Sequence, residues 1–349
     1  MLHRIELPQK IVVGSGAIDA LREVLEEFAG RNSSIAVISG PNVWRLYGER
    51  FRSIVEGFVE YSFFEARNAS VEYAEKLLED VKAYSPSLVV GFGGGKSIDL
   101  AKYVAYRLGV RMISVPTSPS HDGIASPFTS LKGLDKPHSV RTVTPAAIIA
   151  DIDIIASAPI RLIRAGAGDL IAKLTAIRDW RLAHKLKGEY YGEYAAKLAL
   201  LSAKHVIEYA SQIGRGVKEA VRVLVEGLVS SGVAMCIAGS TRPASGSEHL
   251  FAHALDLIAP GKALHGEEVA LGTIMMMYLH GGDWRHVRRT IRRLGLPVTA
   301  KELGLSDEVI VKALTMAHRI RPERYTILGE SGLTWEAAER LARVTGVIG

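Results

Sequence analysis

The sequence predicts an α/β domain built on a doubly wound parallel sheet, followed by an all-helical domain, with the boundary near residue 158. Three observations predict it. Short β-branched runs alternate with helical periodicity through the first 150 residues, the pattern of parallel strands joined by crossover helices. One of those runs, Leu88-Val89-Val90-Gly91-Phe92, is continuously apolar, as a strand covered on both faces must be. From Pro159 onward the strand patterns stop, and long Ala-, Leu-, Arg- and Glu-rich stretches carry helical spacing. The expected domains are therefore 1–158 and 159–349.

The elements follow in order. Lys10 to Val13 is a short strand, and Gly14-Ser15-Gly16 turns it into a helix from Ala17 to Phe28. Ile35 to Ile38 is a second strand, ended by Ser39-Gly40-Pro41-Asn42, and Tyr61 to Glu65 a third. Val71 to Tyr84 has helical apolar spacing, and Leu88 to Phe92 leads through a glycine-rich loop into a helix reaching Leu108. Met112 to Val115 is a further strand. The Pro-, Ser- and Thr-rich segment from Ser120 to Pro145 reads as a hairpin over the sheet edge. Helical stretches are expected at 160–187, 191–213, 217–238, 245–258, 267–280, 284–294 and 307–319. Breaks fall at Gly188, Gly214-Arg215-Gly216, Pro243, Pro260-Gly261 and Gly281-Gly282.

Composition excludes several classes. The chain has 349 residues, 48% hydrophobic and 23% charged, ordinary for a globular protein and enough for two cores. The single cysteine, Cys236, excludes an internal disulfide and a thiolate-cluster metal site. The N-terminus lacks a signal-like apolar segment, and the apolar run Val269–Leu279 is too short to span a bilayer. A cytoplasmic chain without membrane insertion is expected. A formal charge of +6 suits either nucleic acid or a small anionic substrate. Arg285, Arg288, Arg289, Arg292 and Arg293 lie on one short helix without interleaved aromatics, so a solvated face is expected there and no nucleic-acid partner. Asparagine occurs only at 32, 42 and 68 and glutamine only at 9 and 212, a depletion of thermolabile amides that hints at a hot habitat.

Two motifs carry chemistry. Gly93-Gly94-Gly95-Lys96-Ser97-Ile98-Asp99 joins a buried strand to a helix, where glycines admit close backbone approach and helix-start amides attract phosphate. It is neither a Walker loop, since Val90 stands where a glycine is needed, nor the dinucleotide fingerprint, whose spacing it misses. No acidic residue follows the second strand to hold a ribose 2′-hydroxyl, so NAD and NADP are both compatible. The second motif is Ser247-Glu248-His249-Leu250-Phe251-Ala252-His253. Its histidines are four apart and share a helix face, and His265-Gly266 returns after the Pro260-Gly261 break. Two imidazoles and a carboxylate from elsewhere would make a three-ligand site with open positions, suited to zinc and also to Fe(II) or Ni(II). A helical histidine pair also arises for structural reasons alone. Asp169 follows Gly166-Ala167-Gly168 and is expected to begin a helix, where an N-cap role would serve equally well. Asp122 in Ser-His-Asp-Gly could be a turn former, and His253 a core histidine.

Taken together the chain resembles the glycerol-1-phosphate dehydrogenase family, within the larger group of glycerol dehydrogenase, the iron-dependent alcohol dehydrogenases and dehydroquinate synthase. The resemblance spans essentially the whole chain. It is carried by residues 93–99, Pro-Thr-Ser-Pro-Ser-His-Asp-Gly (116–123) with Ile-Ala-Ser-Pro (124–127), and Gly-Ala-Gly-Asp-Leu (166–170). Gly-Ser-Glu-His (246–249), His253 and His-Gly-Glu (265–267) complete it. It implies a Rossmann-like N-terminal domain, a helical C-terminal domain and an active site in the cleft between. It implies that Gly94, Gly95, Lys96, Ser97, Ile98 and Asp99 hold the cofactor pyrophosphate. Thr117, Ser118, Pro119 and Ser120 with Ser126 would line the nicotinamide side. Asp169, His249 and His265 would bind one zinc ion per subunit, and Asp122, Asp169 and His253 would contact substrate. The implied reaction is reversible NAD(P)H reduction of dihydroxyacetone phosphate to sn-glycerol 1-phosphate, for archaeal ether lipids, in a homo-oligomer. Glycerol dehydrogenase activity and a dehydroquinate synthase-like lyase are the alternatives. Lys173 stands where the iron enzymes place a fourth ligand, and Asp169 where the lyase has Glu; both departures count against those relatives.

Overall fold

The computed structural model describes residues 3–133 and 139–349. The chain forms two compact units, residues 1–158 and 159–349.

The first unit is a six-stranded parallel sheet in the order β1-β8-β5-β4-β2-β3. Its strands are β1 (Lys10–Gly14), β2 (Ser34–Ser39), β3 (Glu60–Glu65), β4 (Leu88–Gly93), β5 (Arg111–Pro116) and β8 (Ala147–Asp151). The helices are α1 (Leu21–Phe28), α2 (Pro41–Val55), α3 (Val71–Tyr84), α4 (Gly95–Leu108) and the short α5 (Ile152–Ala156). Strand side chains alternate between faces. In β2, Ile35 and Val37 join Leu21, Leu25, Phe51 and Val55 from α1 and α2, whereas Ala36 and Ile38 join Leu77, Val81, Ile98 and Val104 from α3 and α4. Helices therefore cover both faces, and every residue of β4 is buried.

Several local expectations are corrected. The stretch 17–28 is not one helix: Ala17–Ala20 is a 3-10 turn and the α-helix starts at Leu21. Ser-Gly-Pro-Asn has the composition of a turn, yet it opens helix α2, with Pro41 in the first helical position, where a missing N–H costs nothing. Strand β8 was hidden behind the Pro-rich segment, although Ala147-Ile148-Ile149-Ala150 is fully buried between β1 and β5. The hairpin exists as β6 (Phe128–Ser130) paired antiparallel with β7 (Ser139–Arg141). It packs on α4 rather than at an edge of the main sheet, with Thr129 Oγ1 donating to Asp99 O at 2.9 Å. Residues 134–138 lie outside the described residues.

The second unit is entirely helical among the described residues. It comprises α6 (Ile160–Ile171), α7 (Lys173–Lys187), α8 (Glu193–Glu208), α9 (Ala210–Gly214) and α10 (Lys218–Ala238). It continues with α11 (Ser247–Ile258), α12 (His265–Leu279), α13 (Trp284–Arg293), α14 (Asp307–Ile320) and α15 (Trp335–Val344). The expected stretch 160–187 is divided at Ala172, stretch 191–213 is divided at Tyr209, and α15 was not foreseen. Helix α10 is long and apolar enough to cross a membrane, but two-thirds of its apolar window is buried inside the unit, as in a core helix. Helix α12 is buried on all sides from Gly266 to Met277, so it is the central helix of the unit. It packs against both α6 and α11. On α13, Arg285, Arg289, Arg292 and Arg293 are exposed, in keeping with a solvated face.

Candidate active site

In the first unit, the chain runs outward from β2 through α2 to β3, crosses back through α3 to β4, and continues through α4 to β5. Helices α2 and α4 lie on opposite faces, so a crevice opens beyond the carboxyl ends of β2 and β4. This is the switch point where open α/β sheets bind ligands. Gly40 and the loop Gly93–Gly95 stand at this crevice. The glycines leave little room for a side chain. A Cβ on Gly94 would meet Ser118 Oγ at 3.0 Å, and one on Gly95 would lie 2.2 Å from His121 Nε2 and 2.9 Å from Ser120 Oγ. The Gly95 N–H donates to Ser120 Oγ at 3.1 Å, and Thr117 N–H to Gly93 O at 2.9 Å. The predicted residues 94–97 and 117–120 are thus brought together. Ile98 is buried in the core, and Asp99 turns inward to Lys102 Nζ at 2.9 Å and Ser130 N–H at 3.3 Å.

Lys102 was missed by sequence reasoning. It is completely buried, and its ammonium donates to the carbonyls of Gly123 (2.9 Å) and Phe128 besides pairing with Asp99. The loop carrying Asp122 and Ser126 is held by this one cation. Asp122 and Ser126 are themselves buried, and the Asp122 carbonyl accepts from the N–H groups of Ala125 and Ser126.

In the second unit, Asp169 on α6, His249 on α11 and His265 at the start of α12 offer donor atoms all within 4.8 Å of one another. Asp169 does not begin a helix; it lies inside α6, two residues before its end. The glycines before it are a packing surface rather than a break. A Cβ on Gly168 would lie 2.2 Å from Gly266 O, and one on Gly266 only 1.9 Å from Ala165 O. Backbone-to-backbone contact of α6 and α12 sets Asp169 beside His265. Glu267 locks the junction, accepting from Arg161 Nε and Nη2 at 2.7 Å and from Leu264 N–H at 2.8 Å.

His249 Nε2 lies 3.3 Å from Asp169 Oδ1, about the edge of a tetrahedron with metal–ligand bonds near 2.0 Å. Its Nδ1 is 2.8 Å from Glu248 Oε1, which fixes the ring and aims Nε2 at the cluster. Glu248 is in turn held by Thr175 Oγ1 (2.7 Å) and Gly246 N–H (2.6 Å). Asp169 Oδ2 accepts from Lys173 Nζ at 3.2 Å, so Lys173 acts on the carboxylate rather than adding a ligand. Burial alone would raise the Asp169 pKa, but Lys173, His249 and His265 outweigh it and hold the carboxyl far below its usual range. Burial would likewise lower His249, and Asp169 with Glu248 reverses it.

His253 falls outside the three-donor group; its ring stacks on that of His265 with centroids 5.7 Å apart. Loss of solvent, with His265, His249, Arg321 and Arg324 near, pushes His253 well below its ordinary pKa and keeps it neutral. His265 also lies within reach of Asp256 and Glu268, a second donor group not foreseen. Asp179 was missed as well. Fully buried, it accepts Ser247 N–H and Oγ–H, Ile327 N–H and His280 Nε2 at 2.6–3.0 Å, and so fixes the start of α11. No local signal marks it: Asp179 sits between Arg178 and Trp180 inside α7 and is indistinguishable in sequence from a surface aspartate.

The fold and this donor set define a class. A sequence-family model described as iron-containing alcohol dehydrogenase matches residues 12–159. A glycerol dehydrogenase from Schizosaccharomyces pombe superposes with a TM-score of 0.80 at 23% identity, over 99% of this chain and 90% of that one. A probable glycerol dehydrogenase from Sinorhizobium meliloti superposes equally, 0.80 at 21% identity, over 99% and 98%. The architecture is thus the Rossmann-like plus helical fold of that dehydrogenase group. Within it, the glycerol-1-phosphate dehydrogenases [NAD(P)+] of Staphylothermus marinus and Aeropyrum pernix are each 58% identical, over 99% of this chain and 99% of theirs. The chain belongs to the glycerol-1-phosphate dehydrogenase family.

Proposed function

We propose that this protein catalyses the reversible NAD(P)H-dependent reduction of dihydroxyacetone phosphate to sn-glycerol 1-phosphate, with one Zn2+ per subunit. The observation that carries this reading is the convergence of Asp169, His249 and His265 from three helices in a full-length relative of enzymes named for that activity. The donor set fits zinc: two imidazoles, one carboxylate, a 3.3 Å donor separation and a buried glutamate orienting one ring. A bound zinc supplies Lewis acidity at a carbonyl oxygen. NAD(P)H supplies the hydride.

The chain's own residues do the rest. Gly94–Ser97 present the start of α4 to the cofactor pyrophosphate, and Thr117–Ser120 with Ser126 shape the nicotinamide side. Lys173, with His249 and His265, favours the ionised form of Asp169, whose oxygen would serve as the ligand atom. His253, held neutral, can accept a proton from, or relay one to, the substrate hydroxyl; Asp122 or a water is the other candidate on this path. The residues at the end of β2 support use of both NAD and NADP, since none is acidic. Assembly as a cytoplasmic homo-oligomer, a thermophilic habitat and a role in ether-lipid synthesis complete the reading.

The test follows absorbance at the reduced-nicotinamide band with dihydroxyacetone phosphate, with and without a chelator. Turnover that the chelator abolishes and zinc restores is expected. Turnover indifferent to metal removal contradicts the site. The named fold neighbours favour one second reading, glycerol oxidation, and comparable kcat/KM on unphosphorylated glycerol would move the assignment there.

A further inference from the structure

Arg324 is a buried guanidinium with no carboxylate in contact among the described residues; Glu189 and Glu248 act on it only from beyond ion-pair distance. The residue is 8% exposed. Its Nη1 donates to Ser245 O and its Nη2 to Thr241 Oγ1, each at 2.6 Å. Both acceptors are neutral. The neighbouring arginines are matched, Arg242 with Glu189 and Arg321 with Glu323, but no carboxylate among the described residues lies within ion-pair distance of Arg324. A guanidinium has five N–H donors, and only two are engaged here. Burial first, then Arg321 and Arg242, pull its pKa down to about 9 against the opposing fields of Glu189 and Glu248, so at neutral pH the charge remains. A buried cation with no carboxylate in contact costs several kcal/mol in general, and a bound anion would offset that cost.

Its place in the fold says which anion. Helix α14 packs along α11, and the segment after α14 carries Arg321 and Arg324 back to the residues that lead into α11. Ser245 lies four residues before His249. The charges of Arg321 and Arg324 are felt at His253. The open cation and the zinc-ligand helix are therefore parts of one neighbourhood in the same unit. The geometry points to Arg324 as the residue that receives the phosphate of the substrate, with the half-buried Arg321 as a second cation at its rim. A phosphomonoester dianion matches the planar fork and supplies the missing charge. This deepens the proposed reaction and rests on it: the phosphate would be recognised away from the reacting carbon, and phosphorylated substrate chosen over free triose.

The experiment compares kcat/KM on dihydroxyacetone phosphate with kcat/KM on dihydroxyacetone, in zinc-loaded wild type, R324M and R324K. The ratio of the two should fall on the order of 100-fold in R324M, the scale for truncating one partner of a buried charge pair. In R324K, which keeps charge without the fork, it should fall about tenfold. An equal loss on both substrates overturns the assignment, leaving Arg324 as a brace for the approach to α11. If R324M does not fold, an unchanged ratio in R324K overturns it instead. A wild type that reduces dihydroxyacetone phosphate no better than dihydroxyacetone sinks the proposed function itself, a result distinct from either mutant outcome.

Discussion

Replacing Gly266 by alanine should dismantle the proposed metal site without touching a proposed ligand. The new Cβ would lie 1.9 Å from Ala165 O, 2.5 Å from its carbonyl carbon and 2.9 Å from its Cα. All three atoms are backbone, so no flexible side chain can move aside. To relax the 1.9 Å approach to an ordinary 3.4 Å contact, α6 and α12 must part by about 1.5 Å. Asp169 and His265 sit immediately beside that contact, one on each helix. Zinc–ligand distances tolerate only about ±0.2 Å, so the displacement is several times what the site can absorb. Overpacking of this kind also costs about 1–3 kcal/mol of stability. Circular dichroism should show native helicity, while competition with a chromophoric chelator should show zinc affinity reduced at least 100-fold and activity lost in parallel. A G266A protein that keeps wild-type zinc content and turnover would refute the claim that this backbone contact positions the ligands.

Three further outcomes are expected. Glu248→Gln removes the carboxylate that holds His249 Nδ1 and should weaken zinc binding about 10–100-fold; an unaltered affinity in chelator competition excludes that role. Lys102→Met leaves Asp99 buried without its cation and should cost about 3–5 kcal/mol, read as a lower thermal midpoint and weaker NAD(P) binding; a wild-type midpoint excludes the clamp. NADH and NADPH should both sustain turnover, because β2 ends in Ser39 and Gly40 with no carboxylate to reject a 2′-phosphate; strict dependence on NADH contradicts this.

Much of the fold was legible because its periodicities are strong. Leu88–Phe92 reads as a strand covered on both faces since nothing polar interrupts it, and it is indeed central. Local ambiguity explains the failures. Ser39-Gly40-Pro41-Asn42 satisfies the chemistry of a turn and of a helix start equally well, and α2 was lost to the first. Gly166-Ala167-Gly168 satisfies both a break and a close helix crossing, and only the partner backbone at Gly266 distinguishes them. Lys102, Asp179 and Arg324 looked like any surface charges because burial is not encoded in a single residue's identity.

The sequence by itself determined the alternation that builds the sheet, the glycine run at the crevice, and the histidine and aspartate side chains able to hold a cation. These follow from local rules, in which each residue's neighbours along the chain suffice. Tertiary structure alone decided that α6, α11 and α12 meet closely enough for three side chains far apart in sequence to share one ion, and which buried charges brace them. Such contacts depend on which surfaces pack together, a property of the whole fold rather than of any segment.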